Sequence, residues 1–132
     1  NNPQVEYLGK VSNEQLSILR LNSTAAVVPN IYLENDDDFE AFCFVTIESV
    51  ASGTIVLASN YQGITDALLN GQIGSLAAPS DANSWEKELR KIVNLSKEER
   101  ISKIKSNKTI LEKKLNWDKL FSLTEDFHRE LL

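Results

Sequence analysis

Two short apolar segments limit the folds that are open to this chain. Ala25–Val28 is stopped by Pro29, and Thr54–Ala58 is rich in β-branched residues and bounded by polar ones. Runs of this length and composition are typical of strands that are buried on both faces of a parallel sheet. The sequence therefore predicts a fully buried β-strand at each of the two places.

Helical patterns separate and follow these strands. Ser12 to Gln15 is a capping box, which predicts a helix that continues to about Asn22. A second helix is expected from about Phe42 to Ser52, with Gly53 as its C-terminal cap. The further expected elements are a strand at Val5–Gly9, a loop at Asn30–Phe39, a short helix from Gln62–Gly63 to Asn70–Gly71, a strand at Gly74–Ala78, and helices from Asp81, from the capping box Ser96–Glu99 and around Leu120–Leu131.

This alternation of strands and helices predicts βαβ units, and hence an α/β fold with a parallel sheet. The 132 residues fit one domain. Ligands of such sheets bind beyond the carboxyl ends of the strands, where loops meet helix N-termini. Glu40–Phe44 follows the first buried strand and Ser59–Ile64 follows the second. A cleft lined by these two loops is therefore expected.

Composition excludes several classes of protein. The chain is 42% hydrophobic and 25% charged, as globular proteins are, and no apolar run approaches the roughly 20 residues of a membrane span. The net charge of −5 argues against a general nucleic-acid binder. Cys43 is the only cysteine, which favours a reducing, cytosolic setting. One cysteine and one histidine argue against a zinc site.

The stretch from Glu40 to Glu48 places two carboxylates across the expected loop-to-helix junction. The first turn of a helix offers unpaired N–H groups and a positive dipole end, which together attract phosphate. Carboxylates accept hydrogen bonds from paired hydroxyls. An acid among apolar helix residues also costs free energy unless something outside the helix requires it. The pattern therefore indicates a phosphate site flanked by hydroxyl-binding acids, as a sugar nucleotide would need.

Each of these residues has a simpler interpretation. Glu48 could lie on the solvent face of its helix, and Glu40 could end an acidic, solvated loop. Asp36–Asp38 contains the Asp-x-Asp spacing of metal-dependent glycosyltransferases of another fold, but a solvated loop is favoured there. Cys43 could be a reactive thiolate at a helix N-terminus, although a small packed residue is favoured. His128 is expected at the surface.

Several motifs occur in an order that resembles a known family. They are Val28-Pro29, Glu40 to Glu48, Ala51-Ser52-Gly53, Ile55 to Ser59, Gly63-Ile64 and Gly71 to Gly74. Together they resemble the C-terminal, donor-binding domain of the group 1 family of retaining GT-B glycosyltransferases, over roughly Val5 to Trp117. The resemblance implies one partial domain over residues 1–132. Its fold would be a Rossmann-like three-layer parallel sheet that lacks the first two βα units, with helices at the C-terminus.

The resemblance also implies roles for individual residues. Glu40 matches the glutamate that binds hydroxyls of the donor sugar and is the implied catalytic residue. Glu48 matches the glutamate that binds the ribose hydroxyls of the nucleotide. The backbone N–H groups of the turn Phe42, Cys43 and Phe44 match those that face the donor diphosphate. The other implied donor-binding residues are Ala41, Gly63 and Val11. Val11 lies with Gly9 and Lys10 at the place where backbone groups of family members cradle the base.

Three positions depart from the family pattern. Ala41 and Cys43 stand where the family usually has glycine, and Gln62 stands where a glycine often precedes Gly63. A side chain at a tight turn restricts φ where glycine would not. The turn is therefore expected to differ in shape, while its backbone amides stay available to an anion.

The implied activity is transfer of a hexosyl group from a nucleotide-diphosphate sugar to a glycan or lipid-linked acceptor, without a metal or other cofactor. The setting would be polysaccharide or glycolipid assembly in the cytoplasm, or peripherally on the inner face of the membrane. The acceptor would bind an N-terminal domain that these residues lack. The fragment alone is expected to be inactive and to dimerise over an exposed sheet edge. The alternatives are a non-catalytic nucleotide-binding module, a protein-interaction module that docks through the last helices, and a phosphorylase of the same broad fold.

Overall fold

A computed structural model describes residues 2–31 and 41–116 of the chain, together with residues 118, 122 and 129. Its helices and strands are α1 (Asn13–Asn22), β1 (Ala25–Val28), α2 (Phe44–Ala51), β2 (Ile55–Ser59), α3 (Gln62–Ala67), β3 (Ser75–Ala77), α4 (Ala82–Val93) and α5 (Lys97–Lys114). No helix in the described ranges combines the length and apolar character needed to cross a membrane.

Some predictions fall on residues that the structure does not describe. They concern Glu40, Asp36–Asp38, His128, nearly all of the loop Asn30–Phe39, and nearly all of the helix around Leu120–Leu131. These stay predictions.

The three strands form one parallel sheet in the order β1-β2-β3. Ala25 pairs with Ile55, and Leu57 pairs with Ser75. The expected α/β fold with a parallel sheet is confirmed, and the architecture is consistent with a Rossmann-like, GT-B C-terminal domain. Each crossover between strands runs through a helix, as parallel pairing requires.

Side chains of β2 alternate between two apolar clusters on opposite faces of the sheet. Val56 and Ala58 pack on the side of α2, α3 and α5, while Ile55 and Leu57 pack against α4. The first cluster contains Cys43, Val50, Ile64, Leu68, Ile73 and Leu111, and the second contains Ala77 and Ile92. Burying each of the larger side chains contributes about 1.5–3 kcal/mol. The sheet is therefore the middle of three layers.

The prediction that the first strand is buried on both faces is wrong. β1 pairs with β2 alone among the described strands, so it is an edge strand. Val27 is 47% exposed, whereas every residue of β2 is buried. Apolar composition identified both strands, but both faces of a strand are buried only where helices cover the sheet on each side.

The predicted strand at Val5–Gly9 is also wrong. The segment has no strand pairing in the described structure, and Val5 and Tyr7 are 71% and 94% exposed. Alternating apolar residues can form a strand only when a neighbouring strand pairs with their N–H and C=O groups. None of the described strands pairs with this segment, so it forms no strand there.

The predicted helix ends at Ser12 and Gly53 are confirmed, whereas α2 begins at Phe44 rather than Phe42 and α3 ends at Ala67 rather than at Asn70–Gly71. The Gln15 N–H donates to Ser12 Oγ at 3.2 Å, and the Ser12 N–H donates to Gln15 Oε1 at 2.9 Å, which completes the first capping box. Gly53 ends α2 with φ +86°, and its N–H donates to the carbonyl of Val50 at 3.0 Å. The left-handed backbone at this position is the reason for a glycine.

Candidate functional site

The loops that follow the three strands are tied together at one edge of the sheet. The Ser59 hydroxyl, at the end of β2, donates to the backbone oxygen of Asn30, just beyond β1. The Asn60 N–H donates to the carbonyl of Ala77 in β3 at 2.7 Å. Thr65 Oγ1 of α3 lies 3.1 Å from Asn60 Oδ1. These contacts hold the carboxyl ends of the strands at one edge, where parallel sheets bind ligands.

The N-terminus of α2 lies at this edge. Cys43 precedes the helix and is buried in the same cluster as Ala58 of β2 and Ile64 of α3. Its side chain makes no capping hydrogen bond. The Thr46 N–H donates to the carbonyl of Cys43 at 3.1 Å, but the structure places no partner on the N–H groups of Phe44 or Val45 among the described residues. The first turn also holds no acidic residue.

Unpaired N–H groups and the positive end of a helix make this a suitable place for an anion. An acid in the first turn would compete for the same groups and repel a phosphate. The sequence Phe44-Val45-Thr46 avoids that competition with apolar and neutral residues. The arrangement can therefore accept negative charge from outside the chain.

The turn before α2 forms with side chains where the family usually has glycine. Cys43 has φ −81°. This position therefore does not need the conformational freedom of glycine. Ala41 and Phe44 are exposed, and the rings of Phe42 and Phe44 meet edge to face with centroids 5.2 Å apart.

Gln62 keeps the backbone conformation that a glycine would adopt. Its φ is +42°, in the left-handed region that side chains usually avoid. Its Nε2 donates to the Tyr61 hydroxyl at 2.6 Å. Gly63 follows and is buried at the start of α3. A backbone in this region costs about 1–3 kcal/mol unless its surroundings hold it, so this turn is a local source of strain.

Glu48 lies in the second turn of α2, and its side chain is 55% exposed. Its Oε2 accepts a hydrogen bond from Nη2 of Arg20 at 2.9 Å, and the Arg20 side chain is only 11% exposed. The pair lines a shallow cavity of about 370 Å³ between α1 and α2. The other lining residues are Asn13, Leu16, Ser17, Ala51 and Ser52.

Val11 lies at a different cavity. It is half-buried just before the cap of α1, and Gly9 turns the chain there with φ +63°. The cavity measures about 430 Å³ and is lined by Leu8, Lys10, Val11, Gln15, Ile18 and Leu19. The α1 residues that line this cavity and the α1 residues that line the cavity beside Glu48 lie on two different faces of the helix. The structure thus brings the Phe42–Phe44 turn together with Gly63, while α1 separates Val11 from Glu48.

Sequence reasoning missed Arg20 as a site residue. It lies 28 positions before Glu48, so no local spacing pattern joins the two. Only the packing of α1 beside α2 reveals the pair. Within the described ranges, no three His, Cys, Asp or Glu side chains are grouped to hold a metal ion.

Comparison with known proteins identifies the family. The family described as Glycosyl transferases group 1 matches residues 1–109. The chain is 31% identical to a glycogen synthase of Mycobacterium tuberculosis over 88 residues, which are 67% of this chain and 20% of that protein. It is 31% identical over 91 residues to a D-inositol 3-phosphate glycosyltransferase of Nocardioides sp., covering 69% of this chain and 18% of the relative.

A third relative is the lipopolysaccharide 1,2-N-acetylglucosaminetransferase of Salmonella typhimurium, 32% identical over 88 residues, or 66% of this chain and 23% of the relative. The chain thus matches only about a fifth of the length of these relatives. The family match, in contrast, covers most of the chain and includes the whole edge described above. On this basis the chain belongs to the group 1 glycosyltransferase family.

Proposed function

We propose that this chain supplies donor-binding residues of a retaining glycosyltransferase, which transfers a hexosyl group from a nucleotide-diphosphate sugar to a glycan or lipid-linked acceptor. The observation that carries the proposal is the open N-terminus of α2. Among the described residues, nothing pairs with the N–H groups of Phe44 and Val45, and the first turn holds no acid. A leaving diphosphate gains negative charge as its bond to the sugar breaks, and preoriented amides stabilise that charge.

Glu48 is the proposed ligand of the ribose hydroxyls. Its carboxylate is exposed on the helix whose N-terminus faces the diphosphate, so one rigid element would hold both parts of the nucleotide. Glu40, outside the described residues, is the proposed ligand of the sugar hydroxyls. Because hydrogen bonds from the amides and the positive end of the helix stabilise the diphosphate, we propose that the donor binds without a metal ion. The remaining proposed donor-binding residues are Ala41, Phe42, Cys43, Gly63 and Val11.

The relatives support the proposed class of acceptor. One is named for glycogen and another for lipopolysaccharide, which fits a glycan or lipid-linked acceptor. The rest of the parent protein would bind this acceptor, since the chain matches only a small part of each relative. We place the reaction in the cytoplasm, or on the inner face of the membrane.

A second candidate function is that of a protein-interaction module, with or without bound nucleotide. The exposed apolar side chains Tyr7, Leu8, Ile18 and Leu21 favour it, because such a surface attracts a partner. A second copy of an isolated chain could also cover this surface and the free edge of β1. Nucleotide binding and donor hydrolysis by the full-length protein would distinguish an enzyme from such a module.

The first test is a thermal-shift titration of the full-length protein with UDP, GDP and ADP. A nucleotide at about 100 times its dissociation constant should add roughly 2.7 kcal/mol to the free energy of unfolding. We expect Glu48→Ala to remove most of this shift, and Glu40→Ala to weaken binding of the sugar nucleotide more than that of the bare nucleotide.

Glu86→Ala is the matched control, because Glu86 also forms an exposed Arg–Glu ion pair but lies on α4. It should leave the shift unchanged. The absence of a shift with all three nucleotides in the unmodified protein would contradict the proposed function.

A further inference from the structure

The ion pair between Arg20 and Glu48 is strongly asymmetric. The Arg20 side chain is 11% exposed, whereas that of Glu48 is 55% exposed. Arg20 therefore lies against the protein, and the carboxylate stands at the rim of the cavity between α1 and α2. A side chain that is this deeply buried is poorly placed to contact a ligand, but it can orient a neighbouring side chain that contacts the ligand.

Arg20 is itself held in place from several sides. It lies in the last turn of α1, where a positive side chain is favoured by the helix dipole. Its backbone oxygen accepts hydrogen bonds from the Ser23 N–H at 3.1 Å and from the Thr54 hydroxyl. The second bond ties the end of α1 to the residue that precedes β2. The backbone of Arg20 is thus tied to the start of β2, while its guanidinium contacts Glu48 on α2.

We propose that Arg20 is a positioning residue, which holds the Glu48 carboxylate in the orientation that binds the 2′- and 3′-hydroxyls of a nucleotide ribose. This inference rests on the proposed function and extends it to a residue that does not touch the ligand. An unpaired glutamate on an exposed helix face samples many rotamers. Fixing one rotamer costs conformational entropy, which weakens the binding of a ligand. Arg20 removes part of that cost before the ligand arrives.

The geometry of the pair leaves the carboxylate able to bind a diol. An ionised carboxylate has about four lone-pair sites on its two oxygens. Among the described residues only Nη2 of Arg20 donates to Glu48, and it donates to Oε2. Oε1 and the remaining site on Oε2 are left to accept two vicinal hydroxyls. A bidentate pair would have used both oxygens, so the single contact suits a carboxylate that must still bind a ligand.

The test compares ribonucleotides with their 2′,3′-dideoxy analogues. Dissociation constants of UDP, GDP and ADP, and of the dideoxy form of each, are measured for the full-length protein and for Arg20→Met, which keeps an apolar stem but no charge. We expect Arg20→Met to weaken binding of the ribonucleotide by about three- to tenfold and to leave that of its dideoxy analogue unchanged. Arg20→Lys, which keeps the charge, should recover part of the loss.

Two further variants separate positioning from structural damage. In a Glu48→Ala background, Arg20→Met should cause no additional loss of preference for the ribose form, since the two residues act as a unit. Arg90→Met removes the guanidinium of the ion pair with Glu86 on α4 and should leave both affinities unchanged. Circular dichroism and melting temperature establish that each variant is folded.

The outcomes distinguish this inference from the function on which it rests. If the unmodified protein binds none of the nucleotides, the proposed function fails and the inference fails with it. If it prefers the ribose form and Arg20→Met keeps the same preference, only the inference is overturned. An equal loss for both forms in Arg20→Met would mean a purely structural role and would also overturn it.

Discussion

The first N–H groups of a helix have no partner within the helix, and the N-termini of α2 and α5 differ in whether a side chain pairs with them. At α5, the Glu99 N–H donates to Ser96 Oγ at 3.2 Å, and the Ser96 N–H donates to Glu99 Oε2 at 2.8 Å. Two acids, Glu98 and Glu99, lie in its first turn. At α2, the side chain of Cys43 makes no capping hydrogen bond, and the first turn of the helix contains no acidic residue. The N-terminal N–H groups of α5 are therefore partly paired with its own cap residues, whereas those of α2 have no side-chain cap among the described residues.

From this difference we infer that the N-terminus of α5 serves stability, whereas that of α2 is the proposed ligand site. A side-chain cap typically contributes about 1 kcal/mol, so an uncapped end costs stability that the chain could have gained. The α2 end lies near the carboxyl ends of the strands, at the edge where Asn30, Ser59, Asn60 and Ala77 are joined by hydrogen bonds, whereas α5 follows α4 through a short connection. The open end is thus found where a parallel sheet binds ligands.

The largest expected effect comes from removing one open amide. Proline is tolerated at the first position of a helix, where it removes only an N–H that has no partner inside the helix. Phe44→Pro should therefore change the melting temperature little but weaken nucleoside-diphosphate binding about ten- to a hundredfold, as expected for a hydrogen bond to a charged group. Isothermal titration calorimetry on the full-length protein would measure this.

Phe44→Ala is the matched control, because it removes the exposed ring and keeps the amide. Lys97→Pro makes the same backbone change at the first position of α5 and should not affect binding. Equal losses in Phe44→Pro and Phe44→Ala would show that the ring is what matters, and the contrast between the two helix ends would lose its functional meaning.

A smaller effect is expected from removing the cap of α5. Ser96→Ala deletes the hydroxyl that accepts from the Glu99 N–H and should lower the free energy of unfolding by about 1 kcal/mol. Nucleotide affinity should not change, because this helix end is internally satisfied. Urea denaturation with a parallel binding titration measures both quantities. A drop in nucleotide affinity as large as that of Phe44→Pro would contradict the assignment of α5 to structure alone.

The smallest effect concerns the pH dependence of the same cap. The hydrogen bond from the Ser96 N–H, and to a lesser extent the Ser96 hydroxyl, holds the pKa of Glu99 below its ordinary value of 4.5. A lowered pKa means that the ionised form is favoured in the folded protein. Its stabilisation is therefore present above about pH 4.5 and is lost as the pH falls through the lowered folded-state pKa.

Glu99→Gln should accordingly be less stable than the unmodified protein at pH 7, by an amount that shrinks towards pH 3. Denaturation midpoints across this range would measure the trend, which is small because the carboxylate is fully exposed to solvent. Glu98→Gln is the control, since Glu98 lies in the same turn without the capping hydrogen bond. A difference that stays constant with pH would contradict a role for the charge.

Much of the fold could be predicted from sequence because its rules are local. The capping boxes at Ser12 and Ser96 and the helix end at Gly53 each depend on residues within one turn. The strands β1 and β2 were also predictable, since their short length, β-branched residues and flanking polar residues or proline favour strands over helices. The burial of β1 was not predictable, because it depends on which helices pack over each face of the sheet at this strand.

The candidate site likewise contains some features that follow from local sequence and others that depend on tertiary contacts. The position of Phe42, Cys43 and Phe44 at a helix N-terminus follows from the local pattern, and so does the place of Glu48 on that helix. The strained backbone of Gln62 was foreseen only as a missing glycine. Arg20 could not be found, because its contact with Glu48 spans 28 residues and two helices.

By itself, the sequence determined the capping boxes of α1 and α5, the glycine end of α2, and the two apolar runs that form parallel strands. These features depend on hydrogen bonds and residue patterns within a short stretch of chain. The tertiary structure alone decided that β1 pairs only with β2 among the described strands, that Val5–Gly9 forms no strand, and that Arg20 contacts Glu48. The reason is that burial, strand pairing and ion pairs between helices depend on which surfaces meet, and distant parts of the chain supply those surfaces.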